Sequence, residues 1–141
     1  MATNTPYKGD GHSFDLRVYY EDTDAGGIVY HASYLRFAER ARTEMLRSHG
    51  FEHAQLLKET GVAFAVRNLA IEYVSPARLD DLLSVVTHTV SVSGARLALS
   101  QVILRGEDRL AELKLDLACI NGAGRAVRLP EPVRRIFADI G

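Results

Sequence analysis

The chain has 141 residues, 47% of them apolar and 25% charged, with a formal net charge of −1 and one cysteine. That composition suits one domain, 1–141, with a real core. It excludes a global basic field for nucleic acid, an intrachain disulfide, and, with no apolar run near ~18 residues, a transmembrane segment. The lone Cys119 points to a reducing compartment, so the cytoplasm is expected. Residues 1–11 are polar, lack the apolar stretch of a secretory signal and read as a flexible start.

Asp15 to Tyr20 alternates as a short strand, with Leu16, Val18 and Tyr20 on one side. A glycine-containing loop follows, and Ser33 is a good N-cap for the next segment. Tyr34, Phe37, Ala38, Ala41 and Met45 then recur at helical spacing, with Arg36, Glu39, Arg40, Arg42 and Arg47 mostly opposite. This predicts an amphipathic helix of about four turns ended by Gly50. A second short helix is expected over His53 to Thr60, ended by Gly61.

From Val62 the period changes to two. Phe64, Val66, Leu69, Ile71 and Tyr73 belong to one long strand, bulged near Arg67-Asn68 and broken by Ser75-Pro76-Ala77. Strands over Leu82 to Val92, Leu97 to Arg105 and Leu110 to Ile120 follow, separated by Ser93-Gly94 and Gly106-Glu107-Asp108. Pro130 opens a last helix through Phe137. Short turns make antiparallel neighbours, so the expectation is a two-layer α+β domain: one long helix and a five-stranded antiparallel sheet curled round it. The bare edges of such a sheet invite a second copy.

The chemistry concentrates in Asp22-Thr23-Asp24-Ala25-Gly26-Gly27-Ile28-Val29-Tyr30, with His31 next. Two carboxylates and a histidine surround a glycine turn just before the long helix. A helix start offers unpaired N–H groups that stabilise an anion, and the backbone N–H of His31 is one of them. An acid or nucleophile beside an oxyanion donor is the minimum kit for hydrolysing an acyl bond. A calcium loop counted from Asp22 fails, since Gly26 and Ser33 fill its fifth and twelfth positions. The plain alternative is a polar turn whose aspartates cap backbone groups. One aspartate is expected to be structural and the other chemical.

Other patterns are weaker. His49 and His53 lack a third zinc ligand, so no metal site is expected. Gly9-Asp10-Gly11 and Gly122-Ala123-Gly124 lack the context of a dinucleotide site, and no Gly-x-Ser-x-Gly elbow is present. Glu39 is a rival carboxylate, read first as an ion pair with Arg36, Arg40 or Arg42. Interleaved Glu39 and Glu44 make the arginine-rich helix a solvated face rather than a nucleic-acid surface.

Arg17 to Tyr34, running on to Glu39-Arg40-Ala41-Arg42, closely resembles the hotdog-fold acyl-CoA thioesterases, and within them the Tol–Pal-associated branch. It is more distantly similar to 4-hydroxybenzoyl-CoA thioesterase. Ile71-Glu72-Tyr73 and Pro76-Ala77-Arg78-Leu79-Asp80-Asp81 match the same branch, and the resemblance runs from about Leu16 to Val133. It implies a long helix wrapped by a curved antiparallel sheet, dimers with sites at the interface, and often tetramers. The family's catalytic aspartate falls on Asp24 and the branch's histidine on His31. The hydroxybenzoyl enzymes differ at the latter position, which speaks against an aromatic acyl group.

The expected reaction is hydrolysis of an acyl-CoA to free acid and coenzyme A. Asp24 would serve as nucleophile or as general base, and His31 would handle a water proton or orient Asp24. Asp22 shapes the loop. Coenzyme A is a good leaving group, so no metal or cofactor is required. Tyr30 and Val66 are candidate substrate contacts, Val62 to Val66 a wall for the acyl group, and Arg96 a partner for nucleotide phosphates. The alternatives are a carrier-protein thioester as substrate, a dehydratase on acyl thioesters, or an envelope protein that docks at the inner membrane and hydrolyses little.

Overall fold

A computed structural model of the chain describes residues 11–140; the flexible start expected over 1–11 lies, apart from Gly11, outside the described residues. Five strands form one antiparallel sheet: β1 (His12–Arg17), β2 (Ala63–Tyr73), β3 (Leu82–Ser93), β4 (Arg96–Arg105) and β5 (Asp108–Ile120). The helices are α1 (Ser33–Ser48), α2 (His53–Thr60) and α3 (Glu131–Asp139). The α+β architecture is the expected one. No helix among the described residues is long and apolar enough to cross a membrane.

The apolar stripe of α1 is fully committed to the sheet. Tyr34, Phe37, Ala38, Ala41 and Met45 are all buried, and side chains such as Phe37 and Met45 each contribute about 1.5–3 kcal/mol by leaving water. The first half of the stripe packs with Leu16, Val85, Ile103 and Leu113 from four strands. The second half packs with Leu99, Leu115 and Leu117, with Leu56 of α2, and with Val133 and Phe137 of α3. β5 alternates as its sequence demands: Leu113, Leu115 and Leu117 face the helix while Lys114 is exposed.

The sheet order is β1-β3-β4-β5-β2. Only β3–β4 and β4–β5 pair strands consecutive in sequence; β1 pairs with β3, and β2 with β5 and not with β3. The short-turn rule fails between β2 and β3 because 74–81 is a crossing segment rather than a hairpin. Val74 and Ser75 both donate to the Leu110 carbonyl, and Arg78 then bridges to Ile28. Both β1 and β2 therefore lie at edges. The register shift between Val66 and Asn68 puts the expected bulge at Arg67.

Three local expectations need correction. The first strand ends at Arg17, because the Asp22 carboxylate takes the Tyr19 N–H (2.9 Å) and Tyr20–Asp22 forms a 3-10 turn; Tyr20 is 83% exposed rather than beside Leu16 and Val18. Ser33 is the first helical residue, not the cap: Ala32 precedes it in helical conformation and supplies no side-chain bond. Arg42 is partly buried rather than on a solvated face. Its guanidinium donates to Gln101 Oε1 (2.9 Å), and Gln101 Nε2 donates to the Ala38 carbonyl and Thr87 Oγ1, each at 3.0 Å. Arg47 stays on the exposed face, paired to Glu44, but the ion pair expected of Glu39 is not formed among the described residues.

Candidate active site

The loop before α1 is a small, tightly bonded arch. Thr23 bridges Val29, Asp24 N–H donates to the Ile28 carbonyl (2.9 Å), and Gly27 N–H returns to the Asp24 carbonyl (3.1 Å). Gly27 turns the chain at φ +80°, a region costly for a side chain. The arch is tied to the crossing segment through Val29 N–H and the Ala77 carbonyl (2.9 Å).

The two aspartates differ in burial and in hydrogen bonding. Asp22 is 3% exposed; its carboxylate holds Tyr19 N–H, and its carbonyl accepts Tyr30 N–H (2.8 Å) and the Ser33 hydroxyl (3.4 Å). Its capacity goes into shaping the loop. Asp24 is exposed, and its Oδ1 accepts Gly26 N–H at 2.8 Å. A Cβ at position 26 would stand 3.2 Å from that oxygen, so glycine keeps the approach open.

Asp24 and His31 line one open cavity of about 430 Å³ together with Ile28, Tyr34, Tyr73 and Pro76. The bonds that close the start of α1 use Ser33 N–H to the Tyr30 carbonyl and Leu35 N–H to the Ala32 carbonyl, and leave out the N–H groups of His31 and Ala32. Unpaired N–H groups at a helix start are in general able to stabilise an anion. Tyr30 stands beside the cavity rather than in its wall, with its ring 4.5 Å from that of His31.

The other two candidate substrate residues lie elsewhere in the chain. Val66 lines a second cavity of about 260 Å³ with Glu39, Arg42, His53, Phe64 and Phe137. Arg96 opens β4 opposite Ala118 of β5, whereas Tyr73 of the first cavity lies opposite Ala111. At ~3.4 Å per residue, Ala111 and Ala118 are about 24 Å apart along the strand. One copy of the chain therefore does not bring Val66 or Arg96 to Asp24. Glu39 makes no ion pair among the described residues; its charge acts on Arg42 and His53 across the second cavity.

Burial, then the nearby Arg42 charge, lowers the pKa of His53. Burial also lowers that of Arg42, opposed by Glu39. Cys119 is buried with its thiol pushed up by that burial, which suits a core position and not a nucleophile. Among the described residues no three His, Cys, Asp or Glu side chains converge as metal ligands. Sequence reasoning missed two features here. The hydroxyl of Tyr73 donates to the His31 carbonyl at 2.7 Å, and Gln101 is a fully buried polar residue in β4. Gln101 in phase with the buried Leu97, Leu99 and Ile103 was the available signal for the second; nothing in the periodicity marked the first.

A long helix wrapped by a five-stranded antiparallel sheet, with an exposed carboxylate and a histidine on one open cavity at the helix start, is the arrangement of a hotdog-fold thioester hydrolase. A model of the thioesterase-like superfamily matches residues 18–137, and the chain belongs to that family. The chain is 47% identical over 129 residues to the acyl-CoA thioesterase YbgC of Haemophilus influenzae, covering 91% of this chain and 95% of that protein. It is 51% identical over 107 residues to the acyl-CoA thioester hydrolase YbgC of Escherichia coli O6:H1, covering 75% and 79%. A probable thioesterase from Bartonella henselae has the same fold, with a TM-score of 0.81, 42% identity, and coverage of 85% of this chain and 99% of that one.

Proposed function

We propose that this enzyme hydrolyses acyl-CoA thioesters with Asp24 as the reacting carboxylate. The observation that carries the reading is the shared cavity: Asp24 and His31 line one space at the start of α1. The thioester carbonyl sits against the N–H groups of His31 and Ala32, which stabilise the oxyanion as it forms; one such donor is worth ~3 kcal/mol. Asp24 either adds to the carbonyl carbon, giving an anhydride that water then cleaves, or takes a proton from the attacking water. In both routes the C–S bond breaks, the coenzyme leaves as its thiol and the acyl group as the acid. His31 lies within the same cavity to orient Asp24 or carry a water proton.

The working enzyme is a homo-oligomer. β2 is an edge strand whose Val66 is 49% exposed, and an unpaired edge is a template for a second copy. Antiparallel pairing of two β2 strands about Asn68 sets the Phe64–Val66 end of one beside the Tyr73 end of the other. The acyl wall expected from Val66 is then supplied across the interface. The acyl-CoA substrate class implies a cytoplasmic enzyme. The relatives' names give no support to a docking protein that hydrolyses little.

The test is thiol release from short, medium, long and aromatic acyl-CoAs, with Asp24→Asn beside wild type. Hydrolysis that disappears in the folded variant supports the reading, and near-normal turnover in the variant refutes it. A folded wild type inert toward every member redirects the search to carrier-protein thioesters.

A further inference from the structure

Tyr73 is legible in the sequence only as the end of a strand, yet its hydroxyl closes the active-site arch from the opposite side. It donates to the His31 carbonyl at 2.7 Å and lines the same cavity as Asp24. That carbonyl has no place in the α1 ladder, because Leu35 N–H goes to Ala32 instead. The peptide unit is planar, so holding the His31 carbonyl also fixes the direction of Ala32 N–H across the same bond. Without the hydroxyl, this peptide at the mouth of the helix has no bond among the described residues to stop it turning.

The phenol ring is itself held. It meets the Tyr34 ring edge-on at 5.3 Å and 76°. Tyr34 is buried, and its hydroxyl accepts Ala77 N–H at 3.0 Å. Burial and the Tyr34 neighbour both raise the Tyr73 pKa, so the group stays a protonated donor across the neutral range.

We propose that Tyr73 is a positioning residue for hydrolysis: it locks the His31–Ala32 peptide so that the Ala32 N–H at the helix start meets the developing oxyanion. This rests on the assignment of Asp24 and His31 to the reaction. Tyr73 transfers no proton and forms no bond to the acyl group.

The experiment measures kcat, KM and Tm for full-length wild type, Tyr73→Phe and Asp24→Asn with one well-turned-over acyl-CoA. Tyr73→Phe keeps the ring and its packing and removes only the bond. The expected result is a kcat lower by roughly tenfold to a hundredfold, the scale of a small misplacement of reacting groups, with KM and Tm close to wild type. Should that variant not fold, 3,5-difluorotyrosine at position 73 retains the bond and acidifies the phenol. It should add a descending limb to the alkaline side of the kcat–pH profile, with Tm unchanged over the same range. A wild-type kcat in Tyr73→Phe beside an inactive Asp24→Asn overturns the positioning role alone. A kcat that falls only in step with Tm overturns it too, marking a structural brace. An active Asp24→Asn overturns the site assignment and the inference with it.

Discussion

The two cavities along α1 handle charge in opposite ways. At the helix start, Asp24 and His31 are exposed, and the polar groups around them are engaged mostly by backbone. Further along, Arg42 is drawn into the protein, held by Gln101, and flanked by Phe64 and Phe137, with His53 shifted by burial. The first arrangement leaves a carboxylate accessible to react. The second ties Arg42 into the Gln101 network of the core, with a cavity beside it. A short distance along one helix thus separates the open cavity proposed for the chemistry from one organised round a partly buried arginine.

The sharpest way to break that contrast is paired carboxamide substitution. Asp24→Asn should lower turnover by about 10²–10⁴-fold, the range for a lost acid or base, whereas Glu39→Gln should change kcat far less. Equal losses in thiol-release assays would merge the two regions into one reacting site. Next in size, Gln101→Leu should lower stability by about 2–3 kcal/mol, since it strands a partly buried guanidinium and leaves the Thr87 hydroxyl and Ala38 carbonyl without their donor. Urea unfolding at unchanged m-value would read this. Gly61, which caps α2 at φ +72°, is a smaller lever beside the second cavity; Gly61→Ala should cost ~1 kcal/mol by the same measurement.

The finest distinction is in pH. His53 has a folded-state pKa lowered by burial and by Arg42, so protonation favours the unfolded chain. Its contribution to stability is full above the ordinary histidine value and is lost as pH falls through the lowered one. Tm should therefore drop more steeply between neutral pH and pH ~5 in wild type than in His53→Gln. Parallel slopes would show that the second cavity does not hold His53 in its neutral form. His12, also lowered mainly by burial, adds to the same acid limb in both proteins.

The helices and the strands were legible because they depend on local pattern. The leucine alternation of β5 and the apolar stripe of α1 each state which face is buried. Asp22 and Asp24 were separable only in outline, because exposure is decided by where Tyr19 and Tyr30 bring their N–H groups. The place of β2 was not legible. Nothing in Ala63 to Tyr73 says that its partner is the last strand rather than the next. Tyr73's bond to His31 was hidden for the same reason, since it joins residues 42 positions apart.

The strand order also dictates a schedule for the chain as it leaves the ribosome. The β3–β4–β5 meander closes through tight turns, so its pairings form at low entropic cost. β2 is made earlier but has no sheet partner until β5 emerges, and residues 63–73 must wait unpaired during that interval. Non-local pairings of this kind are slow and leave strand edges open to wrong partners. Neighbouring nascent chains would meet one another at that strand, so the step that most needs protection during synthesis is the docking of β2.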